Sequence, residues 1–296
     1  MSENVSSVDA EMVFPTRMDL GEGPLWDPAG QSLYWTDLIN QKLFKGNPST
    51  GRYVERNLPY KASRVTHCSD GRLLVSFTRG LASGTFDGQA FAPLTPGFSL
   101  PKEVRINDGA CDAQGRFWTG TYDPTLRSAI GCLYCVEHGR VSTKTEGVML
   151  SNGIRFSPDN RTMYFVETSP ARLWAYEYEL SNATLGKRRL VVDYSGIGAR
   201  PDGCAIDTDG CLWVAEVDRG RIARYAPDGK LDQVVRVPVL KPTSVCFGGR
   251  ENNVLFITSR YAGVESGEQS NPLAGAVFAA QVNATGLPEH RYAHGE

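Results

Sequence analysis

Residues 200–216 read RPDGCAIDTDGCLWVAE. An acid before a glycine (Asp202-Gly203) is followed by a short apolar step (Cys204, Ala205, Ile206), a turn (Asp207-Thr208-Asp209-Gly210) and a strand-like run over 211–215. Two short apolar segments joined by D-x-D-G mark a β-hairpin, because Asp and Gly accept the positive φ of tight turns. The design recurs. Glu22-Gly23 leads through DPAG to Leu33-Tyr34-Trp35, and His67-Cys68 through SDG to Leu73-Leu74-Val75. Asp108-Gly109 leads through DAQG to Phe117-Trp118, Asn152-Gly153 through SPDN to Met163-Tyr164-Phe165, and Thr243-Ser244 through FGGREN to Val254-Leu255-Phe256. Aligned on Leu33, Leu73, Phe117, Met163, Leu212 and Val254, the copies are spaced 40, 44, 46, 49 and 42 residues apart. That period predicts an all-β chain, a six-bladed β-propeller of four-stranded antiparallel blades.

Composition agrees with one closed all-β unit over 12–296, preceded by a loose tail at 1–11. Hydrophobic residues make up 41% of the 296 and charged residues 22%, enough to bury a core, and 31 glycines with 17 prolines suit many turns. The short strand expected around Met12-Val13-Phe14 is read as completing the last blade, so that no sheet edge stays open. Breakers at Pro96, Gly97 and Pro101 mark a connection over 94–103, and a polar loop over 261–273 is expected to hang over one end of the ring.

The net charge of −2, with Lys and Arg scattered, leaves no electrostatic footprint for nucleic acid or an anionic membrane. The polar N-terminus has no signal-like apolar core and no apolar run reaches a membrane span, so the chain reads as cytoplasmic. Seven cysteines, odd in number and mostly inside predicted strands, read as reduced, buried thiols. The pair Cys132 and Cys135 has C-x-x-C spacing, but residues three apart on a strand face opposite sides, and no second pair exists to complete a zinc site. P-loop and dinucleotide fingerprints and a G-x-S-x-G elbow are absent.

The first strand of each blade lies innermost, so polar residues beside the repeat's glycine stand at the mouth of the central channel. Counting back ten or eleven residues from the aligned positions gives Glu22, Asn107, Asn152 and Asp202. Two carboxylates and two amide carbonyls, with none of the four histidines in register, form an oxygen-only set suited to Ca²⁺, Mg²⁺, Mn²⁺ or Fe²⁺ rather than structural zinc. Gathering two anions without a cation is costly. The competing reading is that Glu22, Asn152 and Asp202, each before a glycine, are ordinary turn residues. At the third copy, alignment on the glycine nominates Asp108 instead of Asn107.

The segments EGPLW (22–26), RINDGACDAQGRFWTGT (105–121), SNGIRFSPD (151–159), RPDGCAID (200–207), KPTSVCFGG (241–249) and PLAGAVFAAQVNATGLPEHRY (272–292) resemble the senescence marker protein/gluconolactonase/luciferin-regenerating family over nearly the whole chain. The resemblance implies a propeller holding one divalent cation (Ca, Mg, Mn, Zn or Fe(II)) and hydrolysing a sugar lactone to the aldonic acid. It assigns Glu22, Asn152 and Asp202 to the metal, Arg105 and Asn107 to the substrate, and Asp202 also to the role of general base. A metal-activated water is a rival for that role, because a carboxylate on a dication is a weaker base. A sugar-binding Glu that some members carry past the G-T pair has no counterpart after Gly120-Thr121, so pentonolactones and hexonolactones both remain open. Two other classes stay in view. One is a metal-dependent esterase or phosphotriesterase using the same cage. The other is a non-catalytic binding propeller, since Tyr34-Trp35-Thr36-Asp37 matches receptor-type repeats.

Overall fold

Every described residue that lies in regular structure is in a β-strand, and strands follow one another through short turns. The computed structural model describes residues 5–88, 90–94, 100–261 and 271–293. The first sheet takes Gly21–Asp27, Ser32–Asp37, Lys42–Asn47 and Arg52–Asn57 in chain order, and the second takes Ala62–His67, Leu73–Phe77, Gly80–Gly84 and Ala92–Pro93. An eight-stranded sheet follows, whose halves, 105–148 and 150–193, meet only through the pair Tyr122 and Leu150. Each half is itself four antiparallel strands. Arg200–Ile206 leads another run of four, and Pro242–Gly248 leads the last sheet.

That last sheet is closed by an N-terminal strand. Glu11–Phe14 pairs antiparallel with Val277–Gln281, as the ring-closure reading expects. The expectation of a loose tail at 1–11 is corrected for the described residues: Ser6–Asp9 forms a strand, parallel to Leu231–Arg236. Arg236 holds it, with Nε 2.6 Å from Asp9 Oδ1 and Nη2 2.8 Å from Asp9 Oδ2. A sheet edge with unpaired backbone groups recruited a polar segment, and such a strand carries no apolar alternation to betray it. The middle of the 94–103 connection and most of the 261–273 loop lie outside the described residues.

The leading strands Gly21–Asp27, Ala62–His67, Arg105–Cys111, Leu150–Phe156, Arg200–Ile206 and Pro242–Gly248 touch one another in a closed cycle, the last returning to the first. Apolar clusters fill the space between neighbouring sheets: Tyr164, Val166 and Leu173 pack with Cys204, Leu212 and Val214. A buried turn acid fastens two of the hairpins. Asp207, fully buried, takes the N–H groups of Asp209 and Cys211 on one oxygen and those of Trp213 Nε1 and Arg224 Nε on the other. Asp112 does the same with Gln114, Arg116, Trp118 and Tyr178. A buried carboxylate is tolerated because every lone pair is used.

Candidate metal centre

All six leading strands lose register at the same level. The irregularities fall between Glu22 and Leu25, Ala62 and Arg64, Ile106 and Gly109, Ser151 and Ile154, Pro201 and Cys204, and Pro242 and Ser244. A bulge leaves residues unpaired with the next strand and re-aims their side chains. Asn107, Asp108, Asn152 and Asp202 are such residues, and Glu22 borders one. The turn reading of these positions is therefore overturned, since each sits inside a strand.

Their glycines serve close approach more than turning, for only Gly23 among Gly23, Gly109, Gly153 and Gly203 has a positive φ, 54°. A Cβ on Gly153 would come 2.6 Å from Cys204 Sγ and 3.1 Å from Asp202 O, and one on Gly203 would overlap Ser244 Oγ. Gly23, Gly153 and Gly203 thus let the next leading strand pack against them, while Gly109 makes room for Phe117 and Trp118 of its own sheet.

The electrostatics show which side chains share one space. Burial, then the charges of Asp202 and Asp108, hold Glu22 well above the usual carboxylate range. Burial, then Asp108, push Asp202 up to about 7, while Arg200 and Arg260 pull the other way. Asp108, 5% exposed, and Arg260 thus both act on Glu22 and Asp202, in opposite senses. Oδ1 of Asp202 and Oδ2 of Asp108 are buried without a hydrogen-bond partner, and so is Nε of Arg260.

Hydrogen bonds fix the neighbours. Asn152, 5% exposed, donates from Nδ2 to Thr168 Oγ1 at 2.9 Å, and Thr168 donates to Pro201 O at 2.7 Å. The amide is thereby locked beside Asp202, with its nitrogen used and its oxygen left to accept. Asn107 Nδ2 donates to Ser151 O at 2.8 Å, and Ser63 Oγ to Asn107 O at 2.6 Å. Thr243, at the bulge of the sixth leading strand, spends its hydroxyl on Gly21 O. Arg105 uses Nη1 on Lys102 O and Val104 O and lies opposite Tyr122, whose phenol is raised by burial and feels both Arg105 and Glu22.

These residues fit a hard divalent cation. The donors are all oxygen, and a buried carboxylate oxygen with no partner is costly unless something positive meets it. Among the described residues no three of His, Cys, Asp and Glu are arranged to hold a metal, so the candidate donors are Glu22, Asp202 and the amide oxygen of Asn152, with Asp108 nearby. Sequence reasoning missed Arg260, Tyr122 and Thr168. Asp108 it named only as an alternative. Arg260 follows the strand Val254–Ser259, and its N–H donates to Lys241 O, which sets it between the strands carrying Asp202 and Glu22. Repeat counting looks only at leading strands, so nothing pointed to it.

The comparisons with known proteins agree over most of the chain. The family described as SMP-30/Gluconolactonase/LRE-like region matches residues 20–261. A 6-deoxy-6-sulfogluconolactonase from Pseudomonas putida is 34% identical over 93% of this chain and 95% of its own. A pentonolactonase, XacC, from Haloferax volcanii is 32% identical over 94% and 96%. Among solved structures, a calcium-binding protein, regucalcin, from Agrobacterium tumefaciens superposes with a TM-score of 0.91 at 27% identity, covering 98% of this chain and 99% of the other. With its repeat, its motifs and this match in agreement, the chain belongs to the SMP-30/gluconolactonase/LRE-like family.

Proposed function

We propose that the chain is a six-bladed β-propeller that hydrolyses a sugar lactone to the aldonic acid with the help of one divalent cation. The observation that carries this reading is the placement of Glu22, Asn152 and Asp202 at one level of a closed ring of bulged strands, with Asp202 Oδ1 buried and unpartnered and Asp108 close enough to raise both acids. The family match and the two lactonase relatives support the substrate class. The six leading strands touching in one cycle support the blade count.

Glu22, Asp202 and the Asn152 carbonyl would hold the cation. When bound it supplies Lewis-acid polarisation of the lactone carbonyl. Asp202 Oδ1 takes the proton of the attacking water as its oxygen bonds to the carbonyl carbon. The ring C–O bond then breaks, and the proton passes to the departing ring oxygen, leaving a carboxylic acid and a hydroxyl. Thr168 holds the Asn152 amide in place, and Asn107, fixed by its bond to Ser151 O, contacts the substrate's hydroxyls together with Arg105. Arg105 donates to the substrate's hydroxyls or carbonyl oxygen from the guanidinium edge that Lys102 and Val104 leave free.

The test is a panel of pentono- and hexonolactones, aryl esters and organophosphates, assayed after exhaustive chelation and after return of Ca²⁺, Mg²⁺, Mn²⁺, Zn²⁺ or Fe²⁺. Lactone hydrolysis that vanishes with the metal and returns with it sustains the reading. Faster turnover of aryl esters or organophosphates than of any lactone refutes it.

A further inference from the structure

The channel has a second end. Along each leading strand, four residues beyond the site level stand Trp26, His67, Cys111, Phe156, Ile206 and Phe247, roughly 13 Å away at strand rise. These residues line a cavity of about 460 Å³. A strap at 286–293 crosses it. Leu287 N donates to Ile206 O, Gly286 N to Asn252 O and Tyr292 N to His67 O, so the strap is stitched to opposite sides of the ring.

The strap carries Glu289 to the axis. Arg64 Nη2 reaches both its oxygens at 2.8 and 2.6 Å, and Arg155 Nη2 lies 3.4 Å from Oε1. Burial alone would raise Glu289, yet Arg64 and Arg155 hold it below the usual range. The wall is then left with an excess of positive charge. Arg155, 5% exposed, faces the cavity, Arg250 and Arg291 join it there, and Glu289 is the one acid against them. Burial keeps His67 and His290 below the ordinary imidazole value, so both are neutral near pH 7.

Much of the remaining wall is apolar, with the aromatic side chains of Trp26, Phe156 and Phe247. Trp26 Nε1 is buried without an acceptor. A cavity of this size falls in the range of small-molecule sites, and its three arginines against one carboxylate leave it short of negative charge. We propose that this cavity is a second binding site, separate from the metal centre, which takes a small organic anion with a flat apolar body. Arg155, Arg250 and Arg291 supply the charge, and Trp26, Phe156 and Phe247 the stacking surface.

The experiment titrates 2-naphthoate, and separately the uncharged 2-naphthalenemethanol, into the metal-loaded full chain by calorimetry. Saturable binding of the naphthoate, with the alcohol at least about tenfold weaker, is expected. In the exposed-rim variant Arg250→Glu/Arg291→Glu, naphthoate affinity should fall about tenfold or more while the alcohol is unaffected. Asp202→Asn should leave both probes unchanged. Equal binding of acid and alcohol, no saturation by about 10 mM, or loss of naphthoate binding in Asp202→Asn would each overturn the proposal, the last by placing the probe at the metal centre.

Discussion

Replacing Asp202 by asparagine is expected to stabilise the metal-free protein at pH 8. The carboxyl moves from an ordinary value of 3.8 to about 7 in the fold, chiefly through burial and then through Asp108. A raised acid binds its proton more tightly folded than unfolded. Its contribution to stability is therefore fully present below pH 3.8 and is lost as pH rises through 7. At about 1.36 kcal/mol per pH unit, Asp202 costs the metal-free fold roughly 4 kcal/mol at pH 8, where it is mostly charged, and roughly 2 kcal/mol at pH 5, where folding obliges it to take up a proton. Asparagine keeps the shape and carries no such cost. With an unfolding entropy of about 2 cal/mol/K per residue over 296 residues, 4 kcal/mol corresponds to roughly 7 °C in Tm. The assay is thermal and urea unfolding of both proteins in EDTA at pH 5 and pH 8, repeated with excess Ca²⁺. The variant should lead at pH 8, lead by less at pH 5, and lose its lead when cation stabilises the parent alone. A variant that melts below the parent in EDTA at pH 8 would refute the reasoning and return Asp202 to a structural role.

Arg260→Gln removes a cation that acts on both Glu22 and Asp202, so divalent metal should bind several-fold more tightly by calorimetry, and unchanged or weaker binding counts against the placement. Arg105→Ala should lower kcat/KM for hydroxylated lactones about ten- to hundredfold and affect a plain unsubstituted lactone much less. Equal losses on the two substrates would assign Arg105 to the reaction centre or the fold. Gly203→Ala drives a methyl into Ser244 and should lower Tm by several degrees, while Gly196→Ala, which meets nothing within 4 Å, should not. Comparable melting of the two alanine variants would deny the close strand approach.

The repeat was legible because its strongest signals are local. Asp207 and Asp112 sit at fixed offsets from Trp213 and Trp118, and the structure shows those carboxylates accepting the indole N–H groups at 2.9 and 3.0 Å. A pattern maintained by a buried hydrogen bond survives in the letters. Glu22, Asn152 and Asp202 are nominated the same way, from their distance to those apolar runs. The strand at Ser6–Asp9 was not, since its pairing with Leu231–Arg236 spans more than two hundred residues and rests on backbone bonds and one arginine. Arg260 and Thr168 escaped for a related reason. They lie at the ends of second strands, where the repeat varies freely, and their meaning comes from a neighbour in another sheet.

The bulge explains why strand alternation misjudged Asp108. On a regular strand Asn107 and Asp108 face opposite ways, and the alternation reading chooses one of them for the channel. In the structure neither has a register partner on the next strand, so both are released from the pleat. Asn107 turns to Ser151 on the neighbouring leading strand, and Asp108 lies between the acids on one side and Arg64, 3.8 Å away, on the other. Asp108 thus sits electrically between the two ends of the channel. Its charge raises Glu22 and Asp202 at the site level, and it contributes to holding the buried Arg64 in the charged form that grips Glu289. A bulge repeated at one level of every leading strand lets a fold built on strict alternation set consecutive polar residues side by side on its axis. That is what a site assembled from separate strands requires.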